Sequence, residues 1–491
     1  MATPADWLIL GCYYSILLLL TVYGLHRFHL VRLQRRLRRD PVAPPTPSSP
    51  FSRNPHVAIQ LPLFNEPNVV ARVIEAASRI EYDGPLTIQV LDDSTDQTSA
   101  IAAEIVEKLR LSGVLIDHIR RSSREGFKAG ALAAGMKLTD AELFAVFDAD
   151  FVPPPTILSD MVPYFCDETV GMVQARWGHL NRERSILTRI QAIYLDGHFA
   201  IESAARFLGD RFFNFNGTAG IWRRQAIETA GGWSASTLTE DLDLSYRAQL
   251  KGWKFIFLPD TEVPAELPAS ISGFQDQQHR WAKGSIQTAR KLLPEILGSS
   301  FRPAVKAEAF FHLSNNSAYL FTLLLGILLL PALEIRQRLG WTWTLVADTI
   351  LFTSSAASLM FFYIEGQRLV GKPRPRFREL LFLLPLGIGM SVRNSTAVLE
   401  GLVQQGGFFR RTPKLGAFAL LSASDVQPRW PFVEGLMAGA LIWGGALLAE
   451  SGQYFALPFV ALFLSGYGFV AGGLISERFR RSCSVPAKTL G

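Results

Sequence analysis

The sequence predicts an α/β domain built on a mostly parallel sheet and set between transmembrane α-helices. Three observations lead there. Charge-free apolar runs of bilayer length lie near both ends of the chain, residues 55–290 contain none, and within 55–290 short apolar runs alternate with amphipathic helical segments. The composition agrees: 48% of the 491 residues are hydrophobic and 19% charged, where soluble domains carry about 25% charge. Such a chain is neither disordered nor collagen-like, and it predicts contact with lipid. Three cysteines, Cys12, Cys166 and Cys483, stand far apart with no CxxC pair, which excludes a disulfide framework and a zinc site of the usual spacing.

The first apolar run, 7–25, is followed by Arg27, Arg32, Arg35, Arg36, Arg38 and Arg39. A signal peptide carries its positive charge before the apolar stretch, so this run reads as a retained span with the N-terminus outside. Residues 1–40 form this helix and its basic flank, and 41–54 a proline-rich linker. The net charge of +6 resolves largely into this cluster and two more, at 368–378 and 478–481, each following an apolar run. That is a topological pattern, and with no interleaved aromatic and basic module it excludes nucleic acid as the partner.

Residues 55–290 form the soluble domain. Strands are predicted at 57–63, 87–91, 114–118, 143–147 and 170–174, with a helix after Pro67 that puts Val70, Val73, Ile74 and Ala77 on one face. In such sheets ligands bind at the carboxyl ends of strands. Asn65 and Glu66, Asp92 and Asp93, and Asp148 and Asp150 all fall at such ends.

Residues 291–491 form a membrane domain, with spans predicted at 318–333, 342–364, 432–449 and 455–475. A further run, 380–402, is interrupted by Pro385, Arg393 and Glu400. Both later basic clusters fall on the side of the soluble domain only if this run does not cross, so it is expected to be an interfacial or re-entrant helix packed on protein. The expectation is five spans in an integral membrane protein, with the soluble domain cytoplasmic.

Asp148 and Asp150 close an apolar strand, where residues two apart project to one side and can converge on a hard cation, Mg²⁺ or Mn²⁺, bridging the phosphates of an activated donor. Asp241 and Asp243 repeat the spacing. Asp92 and Asp93 read two ways, as helix caps or as partners of a ribose and base. Lys128 either neutralises donor phosphate or is a surface lysine. A carboxylate at Thr239-Glu240-Asp241 suits a general base for a sugar hydroxyl. Gln277, Arg280 and Trp281 share a helical face, with a guanidinium for diphosphate and an indole for stacking on a sugar ring, although a helical tryptophan also reads as core.

The strings QLPLFNE (60–66), QVLDDSTD (89–96), FDADF (147–151), FNFNGTAG (213–220), TED (239–241) and QQHRW (277–281) together resemble the processive family-2 glycosyltransferases of the cellulose synthase superfamily. They are similar to the plant cellulose-synthase-like A and C branches, which make β-mannan or glucomannan and the glucan backbone of xyloglucan. The resemblance implies a GT-A type nucleotide-sugar-binding domain and an inverting β-glycosyltransferase that draws on GDP-mannose or UDP-glucose and uses Mg²⁺ or Mn²⁺. The acceptor is a growing glycan held in the bilayer or, in a second reading, a lipid. It implies Asp241 as catalytic base and donor contacts from Glu66, Asp92, Asp93, Lys128 and Asp148, with Asp148 and Asp150 on the metal. Diphosphate and acceptor contacts fall to Glu240, Gln277, Arg280, Trp281 and Asn216. FRRTPK (409–414) is similar to the gating loop of bacterial cellulose synthase, FxVTxK, with Arg411 in place of valine; Phe409, Thr412 and Lys414 are its carried-over positions.

Overall fold

The computed structural model describes residues 2–39, 51, 53–407 and 429–484. Most of the linker, and the gating-loop positions Phe409, Thr412 and Lys414, lie outside these residues. Helix α1 (Pro4–Arg39) carries the first apolar run and its basic flank as one element. The soluble domain then alternates: β1 (Val57–Leu63), α2 (Val70–Ser78), β2 (Leu86–Asp92), α3 (Thr98–Leu111), β3 (Ile116–Arg120), α4 (Phe127–Met136), β4 (Leu143–Val146) and the short α5 (Ile157–Met161). It continues with β5 (Val170–His179), α6 (Ile186–Gly197), a π-helical stretch at His198–Ser203, α7 (Ala204–Leu208), β6 (Gly220–Arg223), α8 (Arg224–Thr229), α9 (Glu240–Leu250), β7 (Lys254–Ala265) and α10 (Ile271–Gly298).

The seven strands lie in the order β3-β2-β1-β4-β6-β5-β7. Only β6 runs against its neighbours β4 and β5; the other described pairings are parallel. In β1, Val57, Ile59, Leu61 and Leu63 face the helix side and pack in one core cluster with Val70, Val73, Ile74 and Ala77. The opposite face carries Gln60, whose amide nitrogen donates to Gln89 in the paired position of β2 at 3.0 Å. Gln89 in turn donates to the Gly135 carbonyl at 2.9 Å, so both amide nitrogens of this buried pair are bonded against α4.

β2 and β4 differ from their expected bounds by single residues, β3 and β5 by more, and two strands are new. β3 begins at 116 because Gly113 adopts φ +87° and Val114 donates back to the Leu109 carbonyl at 3.1 Å, which keeps 114 in the exit turn of α3. β5 runs to His179, past the expected end at 174, with Gln174 buried inside the sheet, where its amide nitrogen meets the Thr218 and Ala219 carbonyls, each at 3.0 Å. β6 is four residues long, and β7 contains Pro259 and Pro264, which an edge strand tolerates.

The direction of β6 matters for the site. Running antiparallel, it starts at the edge where β4 ends, so the segment 214–219 arrives beside Asp148. There Ala219 donates to the Val146 carbonyl at 2.9 Å, and Thr218 Oγ1 accepts from the Asp148 amide at 2.9 Å.

The membrane-side helices are α11 (Pro303–Ser314), α12 (Ser317–Leu339), α13 (Leu345–Leu369), α14 (Phe377–Val403), α15 (Phe432–Glu450) and α16 (Leu457–Ser484). By length and composition six helices among the described residues can cross a membrane, α1 and α12 to α16. α14, which covers the interrupted run, is continuous through Pro385 and has the lowest hydropathy of the six, with 67% of its apolar window buried against 17–39% for the others. Both its ends meet the soluble domain. Glu379 lies 3.9 Å from Arg189 of α6, and just past the other end Gln287 of α10 donates to the Gly406 carbonyl at 2.7 Å. Between them α14 lies along α10, with Arg393 3.5 Å from Asp276 and Glu400 2.9 Å from Lys283.

Candidate active site

The expected carboxylates at the strand ends divide on inspection. Asp93 lines a cavity of about 160 Å³ together with Glu66, Lys128, Asp148, Asp150, Glu240 and Asp241. Asp92 does not. Its side chain is buried; burial disfavours its ionisation, but hydrogen bonds from His118, Ser99 and Ser94 outweigh that and hold its pKa at about 2. A carboxylate with that many local partners is committed to the β2–α3 turn, and of the two expected donor contacts only Asp93 borders the cavity. Asp93 is held by Arg121, whose Nε donates to Oδ1 at 2.9 Å. Asn65, at φ +55°, accepts from the Thr95 amide at 2.8 Å and ties the β1 and β2 loops together beneath Glu66.

Asp148 and Asp150 both border the cavity, and Lys128 Nζ bridges Asp148 and the Gly217 carbonyl, the latter at 2.8 Å. Burial alone would lower the Lys128 pKa, but Asp148, Glu240 and Asp241 around it raise it above its ordinary value. Lys128 is therefore a charged bridge across the site and no free surface lysine. Gly217, at φ +81°, has no room for a side chain: a Cβ there would stand 2.9 Å from Asp241 Oδ2. The loop backbone is thereby pressed against the carboxylate expected to act as base.

Asp241 opens α9. Burial, then the charge of Glu240 beside it, push its pKa up to about 7, against the opposing pull of the Leu242 amide, Lys128 and Arg280. Asp243, two residues on, points the other way round the helix and is fully buried on Arg247 (2.8 Å) and Lys291 (2.7 Å). The same D-x-D spacing thus brings Asp148 and Asp150 to one cavity from the turn after β4, which Phe151 closes by donating to the Asp148 carbonyl at 3.0 Å in place of the expected extended strand, and diverges on a helix at 241 and 243.

Helix α10 presents Gln277, Arg280 and Trp281 to the cavity. Its N-terminus is capped twice, by Ser270 Oγ, which accepts from the Gly273 amide at 3.1 Å, and by Glu477 of α16, which accepts from Ser272 Oγ at 2.6 Å. His279 and Lys283 face α14 instead; burial, then Arg393, lower the His279 pKa to about 4, so it stays neutral at physiological pH and takes no part in the chemistry.

Trp177, at the end of β5, was not expected. Its ring centroid lies 6.3 Å from that of Trp281, and both line the site. The alternation Val173, Ala175, Trp177 was the signal, and Arg176 between them masked it. A second cavity of about 420 Å³ adjoins the first and runs among the membrane-side helices; Asn216, Asp241, Gln277, Trp177 and Trp281 belong to the walls of both.

Among the described residues no three His, Cys, Asp or Glu side chains are grouped to hold a metal alone. Two carboxylates, Asp148 and Asp150, at a cavity edge nonetheless suit Mg²⁺ or Mn²⁺, which take their remaining oxygens from water and a substrate diphosphate.

The seven-stranded sheet with a cavity and acidic side chains at its strand ends has the form of a glycosyltransferase of the GT-A type. Residues 55–284 match the model for "Glycosyltransferase like family 2". Glucomannan 4-β-mannosyltransferase 1 of Oryza sativa subsp. japonica is 34% identical over 470 residues, covering 90% of this chain and 87% of its own. The chain belongs to the family-2 glycosyltransferases of the cellulose synthase superfamily, and it is a hexosyltransferase and an integral membrane protein. A probable glucomannan 4-β-mannosyltransferase 10 of Arabidopsis thaliana is 40% identical over 56% of this chain and 52% of its own. Among solved structures, the mannosyltransferase PcManGT from Pyrobaculum calidifontis, in complex with GDP-Man and Mn²⁺, superposes with a TM-score of 0.50 at 18% identity, covering 80% of this chain and 99% of its own.

Proposed function

We propose that this enzyme extends a β-1,4-linked mannan or glucomannan from GDP-mannose, with UDP-glucose as the second donor, and passes the chain into the membrane. The observation that carries this reading is Asp241, a half-buried carboxylate on the common wall of two cavities. The smaller one suits a nucleotide sugar, with Asp93 and Glu66 toward the nucleoside and Lys128 and Arg280 toward the diphosphate. Asp148 and Asp150 would hold Mg²⁺ or Mn²⁺, which when bound neutralises charge on the departing diphosphate. The larger one suits the acceptor glycan, with Trp177 and Trp281 against sugar faces and Asn216 and Gln277 for hydroxyls.

Asp241 takes the proton of the acceptor 4-hydroxyl. Its oxygen attacks the anomeric carbon from the face opposite the diphosphate, the bond to the nucleotide breaks, and GDP leaves with the electron pair. The configuration inverts from α to β in one displacement. The similarity to glucomannan 4-β-mannosyltransferases supports mannose and the 4-linkage.

Purified protein in lipid bilayers, given labelled GDP-mannose or UDP-glucose with Mg²⁺ or Mn²⁺, is expected to yield a polymer that endo-β-1,4-mannanase degrades. A chloroform-soluble monoglycoside would overturn the polymer and leave a glycolipid synthase.

For the topology we propose five crossings, by α1, α12, α13, α15 and α16, with the N-terminus outside and α14 lying along the cytoplasmic face. The contacts of both its ends with the soluble domain support this. A reporter fused after Gln405 is expected to read as cytoplasmic, and an external reading sinks the arrangement.

A further inference from the structure

The first membrane helix reaches into the acceptor side of the site through a buried chain of charges. Arg27 of α1 pairs with Glu202, which also lies 3.6 Å from Arg206. Glu202 Oε2 stands 3.0 Å from His198 Nδ1, and His198 Nε2 stands 3.0 Å from Asn216 Oδ1. His198 opens the π-helical stretch between α6 and α7, and π-helical turns occur mostly at functional sites. Arg27, Glu202, His198 and Asn216 all border the larger cavity.

The hydrogen bonds give the Asn216 amide one orientation. Its Oδ1 accepts from Asn214 Nδ2 at 3.2 Å and faces His198 Nε2, while its Nδ2 donates to the Asn214 carbonyl at 3.3 Å. With Oδ1 turned to Asn214 Nδ2 and His198 Nε2, the second Nδ2 hydrogen is what remains for a sugar hydroxyl. The amide of Asn216 is itself fixed, donating to Gln174 Oε1 at 3.0 Å. Arg27, Glu202 and His198 border the larger cavity and stand off the wall of the smaller one, so the chain touches the donor side only through Asn216, which borders both.

We infer that His198 is a positioning residue, held by Arg27 and Glu202, that sets the Asn216 amide for the acceptor sugar and so makes the first membrane helix a working part of acceptor binding. The inference rests on the acceptor-side reading of Asn216.

The test uses the full-length protein in lipid nanodiscs with labelled GDP-mannose, Mn²⁺ and β-1,4-mannotetraose as added acceptor. His198→Ala is expected to raise the acceptor KM about tenfold, the loss of roughly one well-placed hydrogen bond, while donor KM and donor hydrolysis by water stay within about twofold. His198→Gln, whose amide nitrogen reaches the place of Nε2, is expected to recover most of that loss. Arg27→Ala should repeat the His198→Ala pattern and Arg27→Lys relieve it. A parallel fall of donor hydrolysis and transfer in His198→Ala would assign it a structural role only and overturn the inference. Asn216→Ala separates the two layers. A wild-type acceptor KM in that variant refutes the acceptor reading of the loop, whereas a raised KM there with a silent His198→Ala refutes the relay alone.

Discussion

Asp241→Asn is expected to lower sugar transfer about 10³-fold or more while GDP binding persists. The substitution keeps the shape of the side chain and an oxygen to accept from the Leu242 amide, which now reaches Asp241 Oδ1 at 2.8 Å. It removes the site that takes the acceptor proton. The pH profile carries a second signature of the same residue. Because burial and Glu240 raise the Asp241 pKa to about 7, the carboxylate is protonated on the acid side, and the base form is lost as pH falls. Wild-type kcat/KM is therefore expected to fall about tenfold per pH unit below that point. Glu240→Gln withdraws the neighbouring charge and should move the acid limb to lower pH. Wild-type turnover by Asp241→Asn would remove Asp241 as base.

Asp148→Asn is expected to weaken Mn²⁺-dependent GDP binding about 100-fold and to abolish measurable polymer. With two protein carboxylates facing the cation, the loss of one takes half the protein's negative charge from it. It also leaves the buried Lys128 ammonium without its main counterion, a costly change in its own right. Asp243→Asn is the matching control, since it alters the other D-x-D pair but sits on Arg247 and Lys291 away from the cavity. That variant should lose thermal stability while Mn²⁺-dependent GDP binding holds. Calorimetric titration of GDP with and without Mn²⁺ reads both, and equal binding by Asp148→Asn and wild type would refute the assignment.

The fold was legible where local pattern and burial agree. β1 was expected at its observed bounds because a seven-residue apolar run between turns admits little else in a buried parallel strand. β6 and β7 were not: four residues followed by two arginines carry no periodicity, and prolines in β7 imitate a break. In the site, Asp148, Asp150 and Asp241 could be placed because strand ends and helix starts announce themselves. The sequence could not separate Asp92 from Asp93, since adjacent residues of an extended chain point to opposite sides and only the position of His118, on a neighbouring strand, decides which faces inward. His198 gave no sign, because Asn216 lies on a loop 18 residues away and the arginine that holds its other partner, Glu202, lies on α1.

One base serving two adjoining cavities has a consequence for the product itself. In the proposed arrangement donor and glycan occupy separate cavities, so the nucleotide can be exchanged without the glycan letting go. Each cycle then ends in a contest between the next addition and escape of the chain. With a constant chance of escape per cycle, product lengths follow a geometric distribution whose mean is the ratio of those two rates. Polymer size is thus set by the rate of addition and by how firmly the membrane-side walls grip a finished sugar, and polymer composition by the nucleotide pocket, so a change confined to those walls alters length and leaves composition alone.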